Sequence, residues 1–335
     1  MRKALLFFSF IFCISVSMAQ VVTLDTPSTA KIKADTVSVG IYVTSIHDVD
    51  FKAKEYEIHF WIWLKYKNPR FNFSNFLEIP NAKSFAKLQD STYAVNDGFY
   101  TVMKFQCTMK DSWKVSNYPF DRQTLRFSFE STQFNIESLV FAAEKFGQRY
   151  DSVSAARGRV LSGWNIDSFR MSVGKKEYKT NFGDPNIKEP KEVYSNLRVR
   201  ISISRPVFGL FLKTFLGMYI AFLIAFVCFF IHTDSIDSRF SLSVGSLFAV
   251  IGNKYIIDSS LPETTSFTLV DTLHGITLFV IFIVVGATAI SLRFIKQDKV
   301  DKAKQFDRLV GLITLSLYII ANIYFIVDAI RTVAD

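Results

Sequence analysis

Cysteine is nearly missing: there are three in 335 residues, and Cys13 falls in the apolar start of the chain. That leaves Cys107 and Cys228, the second deep in an apolar run, so no intrachain disulfide is expected and no spacing reads as a zinc motif. Histidine is almost as scarce. His47, His59, His232 and His274 stand apart from one another along the chain and read as structural residues rather than catalytic ones. A Gly-rich phosphate loop and a Gly-x-Ser-x-Gly nucleophile elbow are both absent, and the many carboxylates show no spacing that pairs them. These absences argue against an enzyme and against a cofactor or metal requirement. No basic run is long enough for a nucleic-acid patch, so the net charge of +9 reads as solvated surface plus one cytoplasmic loop.

What is abundant is apolar: half of the residues are hydrophobic and 35 are Phe, which fits a bilayer-embedded portion. The opening MRKALLFFSFIFCISVSMAQ has a basic start, an apolar centre and small residues at Ser17 and Ala19. It reads as a secretory signal peptide, residues 1–19, that exports the polar region after it. From there to about residue 204 the chain is polar and strand-like. Val37, Val39, Ile41 and Val43 alternate with polar neighbours, as do Phe60, Ile62 and Leu64 with Trp61 and Trp63. Further short strands are expected at 99–108, 124–130, 165–173 and 193–203, separated by turns. Together they predict an antiparallel sandwich of about ten strands, immunoglobulin-like in architecture.

From residue 205 to 335 the composition changes to four apolar spans, near 206–231, 238–257, 268–292 and 309–330. The second span is unlike the others because it carries Ser, Gly, Asn and Lys. At helical spacing Asp237, Ser241, Gly245, Phe248, Gly252, Tyr255 and Asp258 or Ser259 share one face, which is small, weakly polar and acidic at both ends. Such a stripe must face protein or a water-filled cavity. Periodicity alone leaves open whether that is a bundle interior or a pore. The loop RFIKQDKVDKAKQFDR holds six Lys and Arg, whereas the Ser259–Ser266 connection holds none, which makes the first cytoplasmic and the second, with the sandwich and the C-terminus, periplasmic.

Between two predicted strands lies YPFDRQTL, residues 118–125, which resembles the aromatic-Pro-Phe-Asp-x-Gln signature of the pentameric ligand-gated ion channels, the Cys-loop receptor superfamily. Asp111 and Leu125 occupy the positions of the name-giving cysteines, as in the bacterial branch that lacks the disulfide. The resemblance extends to Trp61 with Tyr66 and Asn68, to Ile79-Pro80-Asn81, to Gly163-Trp164-Asn165-Ile166, and to Tyr194-x-x-Leu197 leading into Ser204-Arg205-Pro206. It also covers the Leu261-Pro262-Glu263-Thr264 loop, so it runs from about residue 36 to 330.

The resemblance implies a homopentameric channel in the bacterial inner membrane, opened by a small molecule or by protons acting on the periplasmic domain. It puts Asp237 at the cytoplasmic mouth, where five carboxylates would favour cations, and Phe248 at a hydrophobic constriction that gates by dewetting. It implies that Asp121 meets Arg205 near the His47–Lys54 turn and the Pro262 loop, with Asp48 or Asp50 as a third member. A ligand site is expected between subunits under the Tyr178–Tyr194 loop, formed by Trp61, Phe134, Tyr178 and Tyr194 through cation-π attraction. Lys254, about 100° from Tyr255 on the helical wheel, is expected to face a neighbouring subunit. The alternative is a periplasmic ligand-binding receptor that oligomerises in the bilayer without conducting. Lys254, Gly245 and Gly252 keep it open.

Overall fold

Strand alternation builds the first domain. In the computed structural model, which describes residues 34–145, 149–156, 160–183, 191–232 and 235–334, β1 (Asp35–Asp50) buries Val37, Val39, Ile41 and Val43. Its antiparallel neighbour β2 (Glu55–Tyr66) buries Tyr56, Ile58, Phe60, Ile62 and Leu64 and turns Glu57, His59, Trp61 and Trp63 to the opposite face. A period of two leaves no other choice once one face is buried. The signal-peptide reading of residues 1–19 lies outside the described residues.

After the short α1 (Phe73–Phe76) come β3 (Leu77–Glu78), β4 (Ala82–Val95), β5 (Gly98–Lys110), β6 (Arg122–Ser131) and β7 (Leu139–Ala143). Then α2 (Ser152–Ala156), β8 (Asn165–Tyr178) and β9 (Glu192–Ser204) complete the domain. The strands form two sheets, one ordered β4-β5-β2-β1-β7 and the other β3-β6-β9-β8. The inner faces meet through aromatic rings: Phe60 lies 5.7 Å from Phe105, 5.3 Å from Phe127 and 5.6 Å from Phe129. The expected sandwich of about ten strands is borne out, with nine among the described residues. One expectation needs correction: it is not wholly antiparallel, because β1 pairs with β7 in parallel through Asp35–Val39 and Leu139–Ala143. Strand β4 escapes a sequence reading because nearly all of it is exposed on both faces at the sheet edge, which removes the alternation that marks a strand. Its Lys83, Lys87 and Asp90 are the kind of edge charges that discourage pairing with another chain.

Four long helices come next, each long and apolar enough to cross a membrane: α3 (Val207–Val227), α4 (Ile236–Asp258), α5 (Leu269–Ile295) and α6 (Val300–Ala334). Pro206 sits at the N-cap of α3, where its missing N–H costs no helical bond. Helix α5 starts with a capping box, in which Asp271 N donates to Thr268 Oγ1 and Thr268 N donates to Asp271 Oδ2. The charged loop expected between the third and fourth spans is mostly helix, since α6 begins at Val300. Polar side chains join the helices where the surroundings are apolar. Tyr219 donates to Asn322 at 3.1 Å, Thr277 and Tyr318 share a 2.9 Å bond, and His274 Nε2 meets Asn253 Oδ1 at 2.9 Å. Gly217 lets α3 come close to that Asn253, because a Cβ there would sit 3.1 Å from its Nδ2. The outer surfaces of the helices are apolar and exposed, with Phe208, Leu216 and Leu223 on α3, Phe279 and Phe282 on α5, and Leu312, Ile320 and Ile323 on α6. An exposed apolar belt of this kind fits lipid.

Candidate functional site

Helix α4 has two contrasting sides. Arg239, Ser243, Ser246, Val250 and Ile257 are buried against the chain's own helices. Asp237, Ser241, Gly245, Phe248, Gly252, Tyr255 and Asp258 are all exposed, Phe248 by 66% and Tyr255 by 76%. Added Cβ atoms at Gly245 and Gly252 would meet nothing, so close packing within this chain does not require either glycine. Lys254 departs from the expectation that it turns to a neighbouring subunit. Its ammonium is held inside the chain by Asp258 at 2.6 Å and by Asp271 of α5 at 2.7 Å. The same pairing engages Asp258, the acid expected at the outer end of the stripe. Buried Arg239 binds Asp307 of α6 at 2.7 Å, an acid that the sequence places in a charged loop. Its signal is the buried series Ala303, Asp307, Thr314 and Tyr318, whose helical period runs on through the charged stretch.

Where sandwich meets helices, Arg205 is enclosed by rings. Its guanidinium carbon lies 4.0 Å from the centre of Trp164, 4.4 Å from Phe51 and 5.1 Å from Tyr118. Asp121 approaches it at 3.5 Å, with side-chain exposures of 13% for the arginine and 2% for the aspartate. Burial pulls the Arg205 pKa below its usual value while Asp121 opposes that shift. Gln123 ties the carboxylate down, its Nε2 donating at 2.5 Å to Asp121 Oδ2 and at 2.9 Å to the Lys114 carbonyl. The same loop reaches α5, where Leu269 N donates to the Ser116 carbonyl at 2.7 Å. Asp48, expected as a third member, is not brought here: its side chain is 79% exposed and bonds His47 Nδ1 at 2.9 Å. Asp50 is a member only through its backbone, whose carbonyl accepts from Trp113 Nε1 at 2.9 Å. Phe51 is the turn residue that touches Arg205. Pro262 is buried in the α4–α5 connection.

A third locus is a pocket of about 330 Å³ lined by Glu78, Glu130, Ser131, Thr132, Tyr178, Phe182 and Tyr194. Tyr178 packs edge-on against Tyr194 at 5.9 Å and Phe182 at 5.4 Å. Its hydroxyl donates to Glu130 at 2.9 Å, and Asn196 Nδ2 donates to the other oxygen of that buried carboxylate at 2.6 Å. Burial and then Glu130 push the Tyr178 pKa up, so the phenol stays a donor. Partial desolvation and Glu130 likewise raise the Glu78 carboxyl. Of the four residues expected at a ligand site, Tyr178 and Tyr194 meet here. Phe134 does not line the pocket and packs against Phe71 at 4.8 Å. Trp61 stands on the other sheet, with the Lys104 ammonium 5.5 Å from its ring centre. Glu78 and Glu130 give no sequence cue, because a lone glutamate beside a strand reads as surface.

No family model matches the chain. Among curated proteins, a proton-gated ion channel from Gloeobacter violaceus is 22% identical over 271 residues, which cover 74% of this chain and 69% of that protein. The γ-aminobutyric acid receptor subunit pi from Bos taurus is 22% identical over 181 residues, 54% of this chain and 38% of that subunit. Both relatives bear out the resemblance to the pentameric ligand-gated ion channels that the signature loop carries. Its four long apolar helices, together with this similarity, make it a multi-pass membrane protein, and relatives of this kind point away from catalysis. Cys107 and Cys228 are both free and buried, and burial pushes the Cys107 thiol up to about 12. A charged contact closes the signature loop instead of a disulfide. Asp111, at one of the name-giving positions, accepts Arg126 N at 2.9 Å and Arg126 Nη1 at 3.0 Å, beside Leu125 at the other position.

Proposed function

We propose that five copies of this chain form a ring with α4 facing the axis, and that the ring is a cation-selective channel opened from the sandwich. The exposed stripe of α4 carries this reading. One face of α4 carries Asp237, Ser241, Gly245, Gly252 and Asp258 and is uncovered by its own chain, while the exposed exterior of α3, α5 and the membrane-length part of α6 is predominantly apolar. A closed symmetric ring removes that stripe from lipid. Residues 20–204 then form the periplasmic domain and 205–335 the pore domain in a bacterial inner membrane. Asp237 would ring the cytoplasmic mouth and Phe248 would form the gate. The Lys254 ion pairs favour cation passage, since they keep an ammonium out of the lumen.

The agonist in this reading is a small cationic or zwitterionic molecule held by the rings of Tyr178, Phe182 and Tyr194 and by the charges of Glu78 and Glu130. Trp61 of the next subunit would close the site. The raised carboxyl of Glu78 favours a second form of the same reading, in which the proton itself is the agonist. The relative from Gloeobacter violaceus is proton-gated.

The test is current through purified protein in a planar bilayer under a salt gradient, with the mass of the detergent-solubilised particle measured alongside. Wild type should reverse toward the cation equilibrium potential, which lies about 59 mV from zero for a tenfold gradient of a univalent salt. Asp237→Ala should move the reversal potential toward zero. A chloride-selective wild type would refute the acidic ring. A monomeric or dimeric particle would remove the pore altogether.

A further inference from the structure

The outer face of β1 and β2 carries a cluster that the channel reading does not use. His47 and His59 stand apart along the chain, and hairpin pairing brings them together with Glu57: His47 lies directly opposite Glu57, and His59 is two residues along the same face. One ligating atom from each falls within 4.8 Å of the others. His59 Nε2 is 3.1 Å from Glu57 Oε1, and His47 Nε2 is 3.9 Å from the same oxygen. Ligands on a tetrahedral Zn²⁺ at about 2.0–2.1 Å stand roughly 3.3 Å from one another, between those two separations. Two imidazoles and a carboxylate are a donor set suited to Zn²⁺ and its first-row neighbours, and this one leaves a fourth position for water.

The surroundings orient the three ligands. Asp48 Oδ2 lies 2.9 Å from His47 Nδ1, so a neutral His47 carries its proton there and presents a lone pair at Nε2. A left-handed backbone at Asp48, with φ of 51°, accompanies this reach back to the preceding ring. On β5, Gln106 Nε2 donates to Glu57 Oε1 and fixes the carboxylate from the other flank. The His59 hydrogen bond holds the Glu57 carboxyl below its usual range. The three side chains are 42%, 21% and 24% exposed in the order His47, Glu57 and His59, so an ion can enter from solvent and find donors already largely in place.

We propose that His47, Glu57 and His59 form a divalent transition-metal site of the Zn²⁺ class, with Asp48 and Gln106 as its outer supports. The ion ties β1 to β2 just before the turn that presents Phe51 to Arg205. Binding there stiffens the hairpin at the junction of sandwich and helices, and any bias it places on that junction is returned as a change in metal affinity. The site stands on the sandwich alone, so its test does not depend on the protein conducting.

The experiment is calorimetric titration of ZnCl₂ into the full-length, tag-free protein in detergent, repeated with Co²⁺ to read coordination from the visible spectrum. Wild type should bind one Zn²⁺ per chain with an intense tetrahedral Co²⁺ band. His47→Gln and His59→Gln should each weaken binding at least about tenfold and abolish the band. Asp48→Asn should weaken it by about 10–100-fold, as loss of an outer-shell carboxylate does elsewhere. The metal-free variants should melt and elute as wild type does, since all these side chains are at the surface. Undiminished Zn²⁺ affinity in the two histidine variants, or no saturable binding in wild type, overturns the proposal.

Discussion

Replacing Asp307 by Ala is expected to destabilise the helical domain by about 3–5 kcal/mol, the cost of breaking a buried ion pair from one side. Arg239 is 1% exposed and Asp307 4%, and their 2.7 Å contact joins α4 to α6. The same arginine donates through Nε to the Cys228 carbonyl at 2.8 Å, satisfying an acceptor at the end of α3 that the helix cannot satisfy itself. Ser291 of α5 donates to Asp307 Oδ2 at 3.1 Å, so all four helices meet at this one knot. Without the carboxylate a guanidinium is left in an apolar interior with no counter-charge. Asp307→Ala should therefore lower the melting temperature in detergent and shift the particle on size exclusion toward smaller or aggregated species. The paired change Arg239→Met with Asp307→Leu should recover much of the loss, because apolar residues of similar volume pack there without desolvating a charge. A single mutant that melts like wild type would mean that water reaches the pair.

That knot shows where the sequence stops being readable. Strand β2 was legible because Ile58, Phe60, Ile62 and Leu64 are buried one residue in two, and the α4 stripe because its polar face contrasts with three apolar spans. Both are periodic, local signals. Asp307 belongs to a charged segment in which Lys302, Lys304 and Arg308 mask the buried turn-by-turn series. The His47, Glu57 and His59 cluster depends on register, and β1 shifts register between Val43 and Ser45 and again between His47 and Asp50. No pattern in a single strand reveals such shifts. The pocket glutamates obey the same rule, since Glu130 matters through Tyr178 and Asn196, 48 and 66 residues away in sequence. At the junction, the resemblance supplied Asp121 and Arg205 but not the Phe51, Tyr118 and Trp164 cage, whose rings come from three separate connections.

Arg205→Ala should abolish gated current while leaving assembled protein in the membrane, and Asp121→Ala should do the same. Arg205 links the two halves of the chain: it comes after the last strand, precedes α3, and stacks on rings carried by the β1–β2 turn, the signature loop and the segment before β8. Asp121 is its charge partner, but at 3.5 Å the contact is long, and Nε and Nη2 of Arg205 lack a hydrogen-bond partner among the described residues. The cation is held mainly by aromatic faces, an arrangement in which small movements of the turn change its energy. Such a junction fits a two-state element. Removing the guanidinium leaves the Asp121 carboxylate with Gln123 alone, and removing the carboxylate leaves the cation to the rings. Coupling free energies of about 1–3 kcal/mol correspond to shifts of roughly 5–150-fold in the activating concentration, and loss of a buried partner exceeds that range. Arg205→Lys should be only a partial rescue, since a compact ammonium cannot reproduce a planar group 4.0 Å from Trp164. The double alanine variant should be no worse than either single one, because both act on the same contact. The measurement is macroscopic current in proteoliposome-fused bilayers after a step to acid pH and across a panel of small amines, with surface protein quantified in parallel. Normal gating in both single variants would remove the pair from the coupling path and shift attention to the Leu269 to Ser116 bond, which also joins the signature loop to α5.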